Sequence, residues 1–147
     1  MSNFVLRPAH ESESRQIKDL IHLVGINPMD LDWKRFVVAV NARDEVIGIG
    51  QLKPHGKDIL ELASIAVMPE YQGRGIARAI IEHLLKDSLR PLYLRCLSTM
   101  EPLYIKFGFF ALSYDEMPHY YQRLSKLANM VMTFSREGER MLVMKLR

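Results

Sequence analysis

The sequence predicts a single mixed α/β domain, and three observations carry that prediction. Apolar residues fill Phe36–Val40 and Val46–Gly50 on either side of the polar stretch 41–45, the signal of an antiparallel hairpin. A third apolar run, residues 59–68, follows a turn rich in glycine and proline at 53–58 and completes a three-stranded meander. An amphipathic helical stripe then separates this run from a further strand, Pro91–Leu97. A helix between two strands requires a crossover and parallel pairing.

The remaining elements fall in order around this frame. Phe4-Val5-Leu6-Arg7-Pro8 reads as a first strand closed by proline. Ile17, Leu20, Ile21 and Val24 share one helical face, and Gly25 ends that helix. Ile76, Ile80, Ile81, Leu84 and Leu85 form the crossover stripe, with Arg78, Glu82 and Lys86 outward. Ser98 and Glu101 have capping-box spacing, predicting a short helix from about Thr99 to Gly108. Strand resumes over 109–112, a helix opens at Pro118 and runs through Met132, and residues 141–146 close the sheet. In the third strand the large apolar residues sit at Leu60 and Leu62 and then at Ile65 and Val67. That slip by one position around Ala63-Ser64 predicts a β-bulge, unless the strand is buried on both faces.

Composition narrows the class. The chain has 147 residues, 48% apolar and 25% charged, which suits one globular core. A lone cysteine, Cys96, allows no internal disulfide, which points to a reducing, cytoplasmic setting. Neither a signal core at the start nor an apolar run of about 18 residues occurs, so no membrane role is expected. The five histidines have no metal-ligand spacing, and no metal is expected. A net charge of +3 is too mild, and Lys and Arg too interleaved with Asp and Glu, to indicate nucleic-acid binding.

The most informative segment is Val67-Met68-Pro69-Glu70-Tyr71-Gln72-Gly73-Arg74-Gly75-Ile76-Ala77. It reads as the end of a buried strand, a turn with two glycines, and a helix start nearly bare of bulky side chains. Leftover N–H groups at a helix start bind anions, and glycines let a phosphate approach them. The spacing Gln72-x-x-Gly75-x-Ala77 resembles the acyl-CoA loop of the GNAT family of N-acetyltransferases. The preceding strand, Leu62 to Pro69, and the segment Leu103-Tyr104-Ile105-Lys106-Phe107-Gly108-Phe109 are similar to that family's flanking signatures. No Gly-Lys-Ser/Thr follows, which excludes a P-loop, and the third glycine of a Rossmann fingerprint is missing.

The resemblance implies the GNAT fold, a strongly twisted mixed sheet with helices on both faces, and acetyl-CoA as co-substrate. It implies cofactor contacts from the strand residues Ile65, Ala66 and Val67, the last near the oxyanion. It further implies contacts from the loop residues Gln72, Gly73, Arg74, Gly75, Ile76 and Ala77. Tyr104 corresponds to the tyrosine beside the thioester sulfur, as proton donor to the departing thiolate or as a group that positions it. Glu61 corresponds to the strand glutamate that serves as base in one branch of the family; the alternative is a half-exposed structural carboxylate. An amine of pKa ~10.4 is almost wholly protonated at pH 7, so some base or water must assist. Where many relatives carry an asparagine for pantetheine, this chain has Leu97 and Met100, leaving that contact absent or to Ser98 or Thr99. Cys96 reads as core rather than nucleophile. Glu101 is explained by its capping position, while His55 and His119 are outside candidates for the base. In such a fold segments 25–33 and 114–132 build the acceptor pocket, but neither names the amine. Methionines near 130 and 141 suggest a packed core or a homodimer contact. A domain that binds acyl-CoA without turnover is the rival reading.

Overall fold

The computed structural model describes residues 3–132 and 140–147. The strands are β1 (Val5–Pro8), β2 (Phe36–Val40), β3 (Val46–His55), β4 (Ile59–Val67), β5 (Leu92–Leu97), β6 (Phe110–Ala111) and β7 (Met141–Leu146). The helices are α1 (Ser14–Val24), α2 (Ile76–Lys86), α3 (Glu101–Ile105) and α4 (His119–Met132). The seven strands form a mixed sheet in the order β1-β2-β3-β4-β5-β7-β6. The chain forms two compact units, Met1–His55 with Leu62–Ser88 and Gly56–Glu61 with Leu89–Arg147.

In the first unit β1 pairs antiparallel with β2, and β2 with β3, with Val38 opposite Ile49. Side chains alternate across these strands, so each face receives its own helix. Ile17, Leu20 and Ile21 of α1 share a buried cluster with Phe36, Val38 and Ile49. The opposite face offers Ala39, Gly48 and Gly50 to α2. A methyl group added at Gly50 would lie 2.6 Å from Ile80 Cγ2 and 2.8 Å from Ile65 Cδ1. The bare strand therefore sets how closely α2 lies on the sheet. At the other helix, Arg7 grips Glu13 at 2.6 and 2.9 Å while the His10 N–H donates to the same carboxylate. These bonds, the arginine's foremost, hold the Glu13 carboxyl below the usual carboxylate range. Gly25 ends α1 in a left-handed conformation, as its sequence position predicts.

In the second unit the start of β4 pairs parallel with β5, Glu61 opposite Tyr93, as the crossover requires. β7 pairs antiparallel with both β5 and β6. Tyr93, Tyr121 and Val143 form its core with Ile59, Met117 and Leu124 packed around them.

Several elements depart from expectation. β3 continues to His55 instead of turning at Lys53, because Pro54 occupies an exposed position near the strand's end, where a missing N–H is tolerated. β6 has two residues rather than four. Ser98 does not cap a helix: its N–H donates to the Arg140 carbonyl at 2.8 Å and its Oγ accepts from the Arg140 N–H at 3.1 Å. The β5–β7 ladder claims this serine before α3 begins, so the capping-box explanation for Glu101 falls. The slipped alternation in β4 coincides with a left-handed backbone at Ser64, φ 58°. The side chain of Met130 lies outside the described residues.

Gly50→Ala is expected to destabilise the protein by about 1–3 kcal/mol through overpacking against Ile80, read as a lower midpoint in urea denaturation.

Candidate active site

The strand-to-helix turn has the form its sequence implies. β4 ends at Val67, a short 3-10 turn spans Pro69–Tyr71, and Gly75 is the N-cap of α2. Gly73 and Gly75 both take left-handed backbone, φ 79° and 80°, and a Cβ on either would meet nothing within 4 Å. The loop therefore borders open space. The first helical hydrogen bond runs from the Ala79 N–H to the Gly75 carbonyl at 3.0 Å. Helix geometry leaves the N–H groups of Ile76, Ala77 and Arg78 without intrahelical partners. They sit at the positive end of the helix dipole, worth about 0.3–2 kcal/mol to an anion. Among the described residues no side chain caps this end, so the amides stay available.

Other loop residues take more specific positions. Gln72 donates from Nε2 to the Val67 carbonyl at 3.1 Å, tying the loop back to the end of β4. Ile76 is buried, its Cγ2 against Gly48, so only its backbone can serve a ligand. Ala66 and Val67 are also buried, and Ile65 lies half-buried beside Gly50. Arg74 lies over the Tyr71 ring, 5.2 Å from its centroid, and the Tyr71 hydroxyl accepts from Asn41 Nδ2 at 3.2 Å. Arg74 and Tyr71, with Arg43, Glu45, Ile47, Met68 and Glu70, line an open cleft of about 370 Å³.

The second unit holds the two predicted catalytic side chains. Glu61 is 3% exposed, not the half-exposed carboxylate of the alternative reading. Tyr121 donates its hydroxyl to Glu61 Oε1 at 2.9 Å, and Arg95 Nε donates to Oε2 at 3.4 Å. Burial, then the Glu61 charge, pushes the Tyr121 phenol far up, so it remains a donor at any working pH. Sequence reasoning missed both partners. Arg95 carried a usable signal, a charge within the apolar run Leu94-Arg95-Cys96, since a charge on a buried strand needs a counterion. Tyr121 carried none, because only the fold brings α4 to β4.

Tyr104 is half-buried at the end of α3, its ring edge-on to Phe109 at 6.1 Å. Burial, with a smaller contribution from Cys96, pushes its phenol up to about 12. Cys96 is buried with its Sγ 3.8 Å from Met144 Sδ, and burial pushes the thiol up to about 11. A thiol so placed is packing, as expected, and no nucleophile. Ser98 spends its Oγ on Arg140, which weakens it as a substitute for the missing asparagine. Among the described residues no three or more His, Cys, Asp and Glu side chains gather as a metal site. No helix among them is long and apolar enough to cross a membrane.

Comparison with known proteins agrees with this fold. A family model described as "Acetyltransferase (GNAT) domain" matches residues 32–110, more than half of the chain. The chain belongs to the GNAT family. No curated protein matches it in sequence. Among solved structures it resembles N-acetylglutamate synthase from Neisseria gonorrhoeae, complexed with coenzyme A and L-arginine, with TM-score 0.71 and 18% identity. That match covers 100% of this chain and 34% of the synthase, so the chain spans about a third of its length. It also resembles Rv2747 from Mycobacterium tuberculosis, complexed with CoA, with TM-score 0.69 and 23% identity over 95% of this chain and 97% of that one. A GNAT-family acetyltransferase from Staphylococcus aureus Mu50 gives TM-score 0.68 and 12% identity over 97% and 98% of the two chains. At these identities the likeness is one of fold.

Proposed function

We propose that this chain transfers the acetyl group of acetyl-CoA to a primary amine by direct attack on the thioester. The observation that carries this reading is the Gln72–Ala77 turn: two left-handed glycines facing open space, followed by uncapped helix amides. Those amides suit the pyrophosphate of CoA, and Arg74 adds a positive charge beside it. The amine attacks the carbonyl carbon, its oxygen taking negative charge that a strand N–H near Val67 stabilises, a donor typically worth about 3 kcal/mol. Collapse breaks the carbon–sulfur bond and expels the thiolate of CoA.

Tyr104 donates its hydroxyl to that sulfur. A phenol held near 12 is a weaker acid than an ordinary tyrosine, so its work is to stabilise the developing thiolate by a hydrogen bond and complete the transfer late. Glu61 takes the proton released by the amine, by way of an intervening water, since its own oxygens are held by Tyr121 and Arg95. The setting is cytoplasmic and the partner a small or peptide amine; an amino-acid amine is favoured by the N-acetylglutamate synthase likeness. A homodimer formed through the C-terminal strand is compatible with this reading. The rival, a binding domain without turnover, would retain acetyl-CoA in the presence of amines and release no free thiol.

Three variants test the assignment. Gly75→Glu places a carboxylate on the phosphate path and should weaken CoA binding about 100-fold or more, roughly 2.7 kcal/mol; unchanged affinity in calorimetry refutes the loop assignment. Tyr104→Phe should lower kcat about 100-fold with acetyl-CoA KM little altered. Because the phenol is the active form and its pKa is raised, wild-type activity should persist through pH 10 on this residue's account. Glu61→Gln should lose activity most near pH 6–7, where the amine is charged, and recover toward pH 10; a pH–rate profile parallel to wild type removes Glu61 as base.

A further inference from the structure

Alternation along β3 turns Gly48 and Gly50 toward α2 and Ile49, Gln51 and Lys53 toward the opposite face. On that face Ile49 packs in the cluster that also receives Ile26, Leu31 and Trp33 from the segment after α1. By pattern position 51 belongs to an apolar residue, opposite Phe36 in the β2–β3 register. It holds instead a glutamine with 0% exposure. Gln51 Nε2 donates to Ser64 Oγ at 2.8 Å, and its Oε1 has no hydrogen-bond partner among the described residues. One serine hydroxyl can serve one end of the amide and not both, so the amide is left incomplete whichever way it is turned. Leaving a buried acceptor empty is costly, and native proteins rarely do so without a function. The partner that Gln51 does have is itself unusual: Ser64 holds a left-handed backbone, φ 58°, at the break in β4. Backbone strain of this kind in a non-glycine residue is characteristic of functional sites.

We infer that Gln51 is a specificity-determining residue for the acceptor, its Oε1 accepting a hydrogen bond from an N–H of the bound primary amine. The inference rests on the acyl-transfer reading and deepens it. An amine held by one N–H has its lone pair oriented, so the bond sets the direction of attack as well as affinity. Lys53, two residues along on the same face, donates to the Met29 carbonyl at 2.9 Å.

The test is Gln51→Leu in the full chain, with steady-state kinetics against the common amino acids, spermidine, an aminoglycoside and a lysine peptide, beside thermal denaturation. The expected result is a Tm equal to or above wild type, an acetyl-CoA KM within about twofold, and an amine KM raised about tenfold or more for the best acceptor. If Gln51→Leu does not fold, Gln51→Met, apolar and more adaptable, takes its place in the same comparison. An amine KM equal to wild type, with Tm raised, would show Gln51 to be an idle buried amide and overturn the inference alone. Wild-type protein that turns over none of the panel would overturn the acyl-transfer reading and this inference with it.

Discussion

The close seating of α2 on β3 is the constraint on which the Gln72–Ala77 turn depends. Gly48 and Gly50 remove two Cβ atoms from the sheet, and Ile76 and Ile80 fill the space they leave. Ile76 is the first residue of α2, so the same contact that builds the core fixes the start of the helix. With that start fixed, the chain leaving β4 has only residues 68–75 in which to turn. It does so with one short 3-10 turn and two left-handed glycines, and Gln72 ties the turn to the Val67 carbonyl. The helix amides are thus held by packing behind them, while no side chain among the described residues caps them in front. Preorganised donors of this kind bind an anion without reordering.

A second constraint governs the other unit. Glu61 is a carboxylate removed from water, a loss of several kcal/mol unless charge and hydrogen bonds replace the solvent. Arg95 from β5 and Tyr121 from α4 provide both, so strand and helix are joined through one side chain of β4. The same arrangement limits the role proposed for it: with both oxygens engaged, a base at Glu61 would act through a mobile water rather than by touching the amine. Tyr104 differs in kind. It is half-buried, packs edge-on to Phe109, and has its phenol stabilised as a neutral donor by desolvation.

Legibility in the sequence followed the range of the interactions. Local patterns located α1 and its glycine stop, the hairpin, and the crossover helix, because each is encoded by residues within one or two turns. The slipped phase at Ala63-Ser64 pointed to the residue that takes a left-handed backbone. Patterns failed where a distant strand intervened: Ser98 looked like a cap, yet β7 claims both its N–H and its hydroxyl. Pro54 looked like a turn, yet the strand tolerates it at an exposed position. The candidate site divides the same way. The turn at residues 72–77 is contiguous and was readable, whereas the partners of Glu61 and the incomplete amide of Gln51 arise from residues 34 and 60 positions from Glu61 and 13 from Gln51.

By itself the sequence determined the order of elements, the parallel crossover and the two-glycine turn before α2, since spacing and glycine placement are local and fix backbone directly. Only the tertiary structure decided which polar groups are buried and who answers them. Glu61 became a buried carboxyl held by two donors, Cys96 an inert core thiol, and Gln51 an acceptor without a partner among the described residues, because burial is a property of everything packed around a residue and no stretch of chain carries it alone.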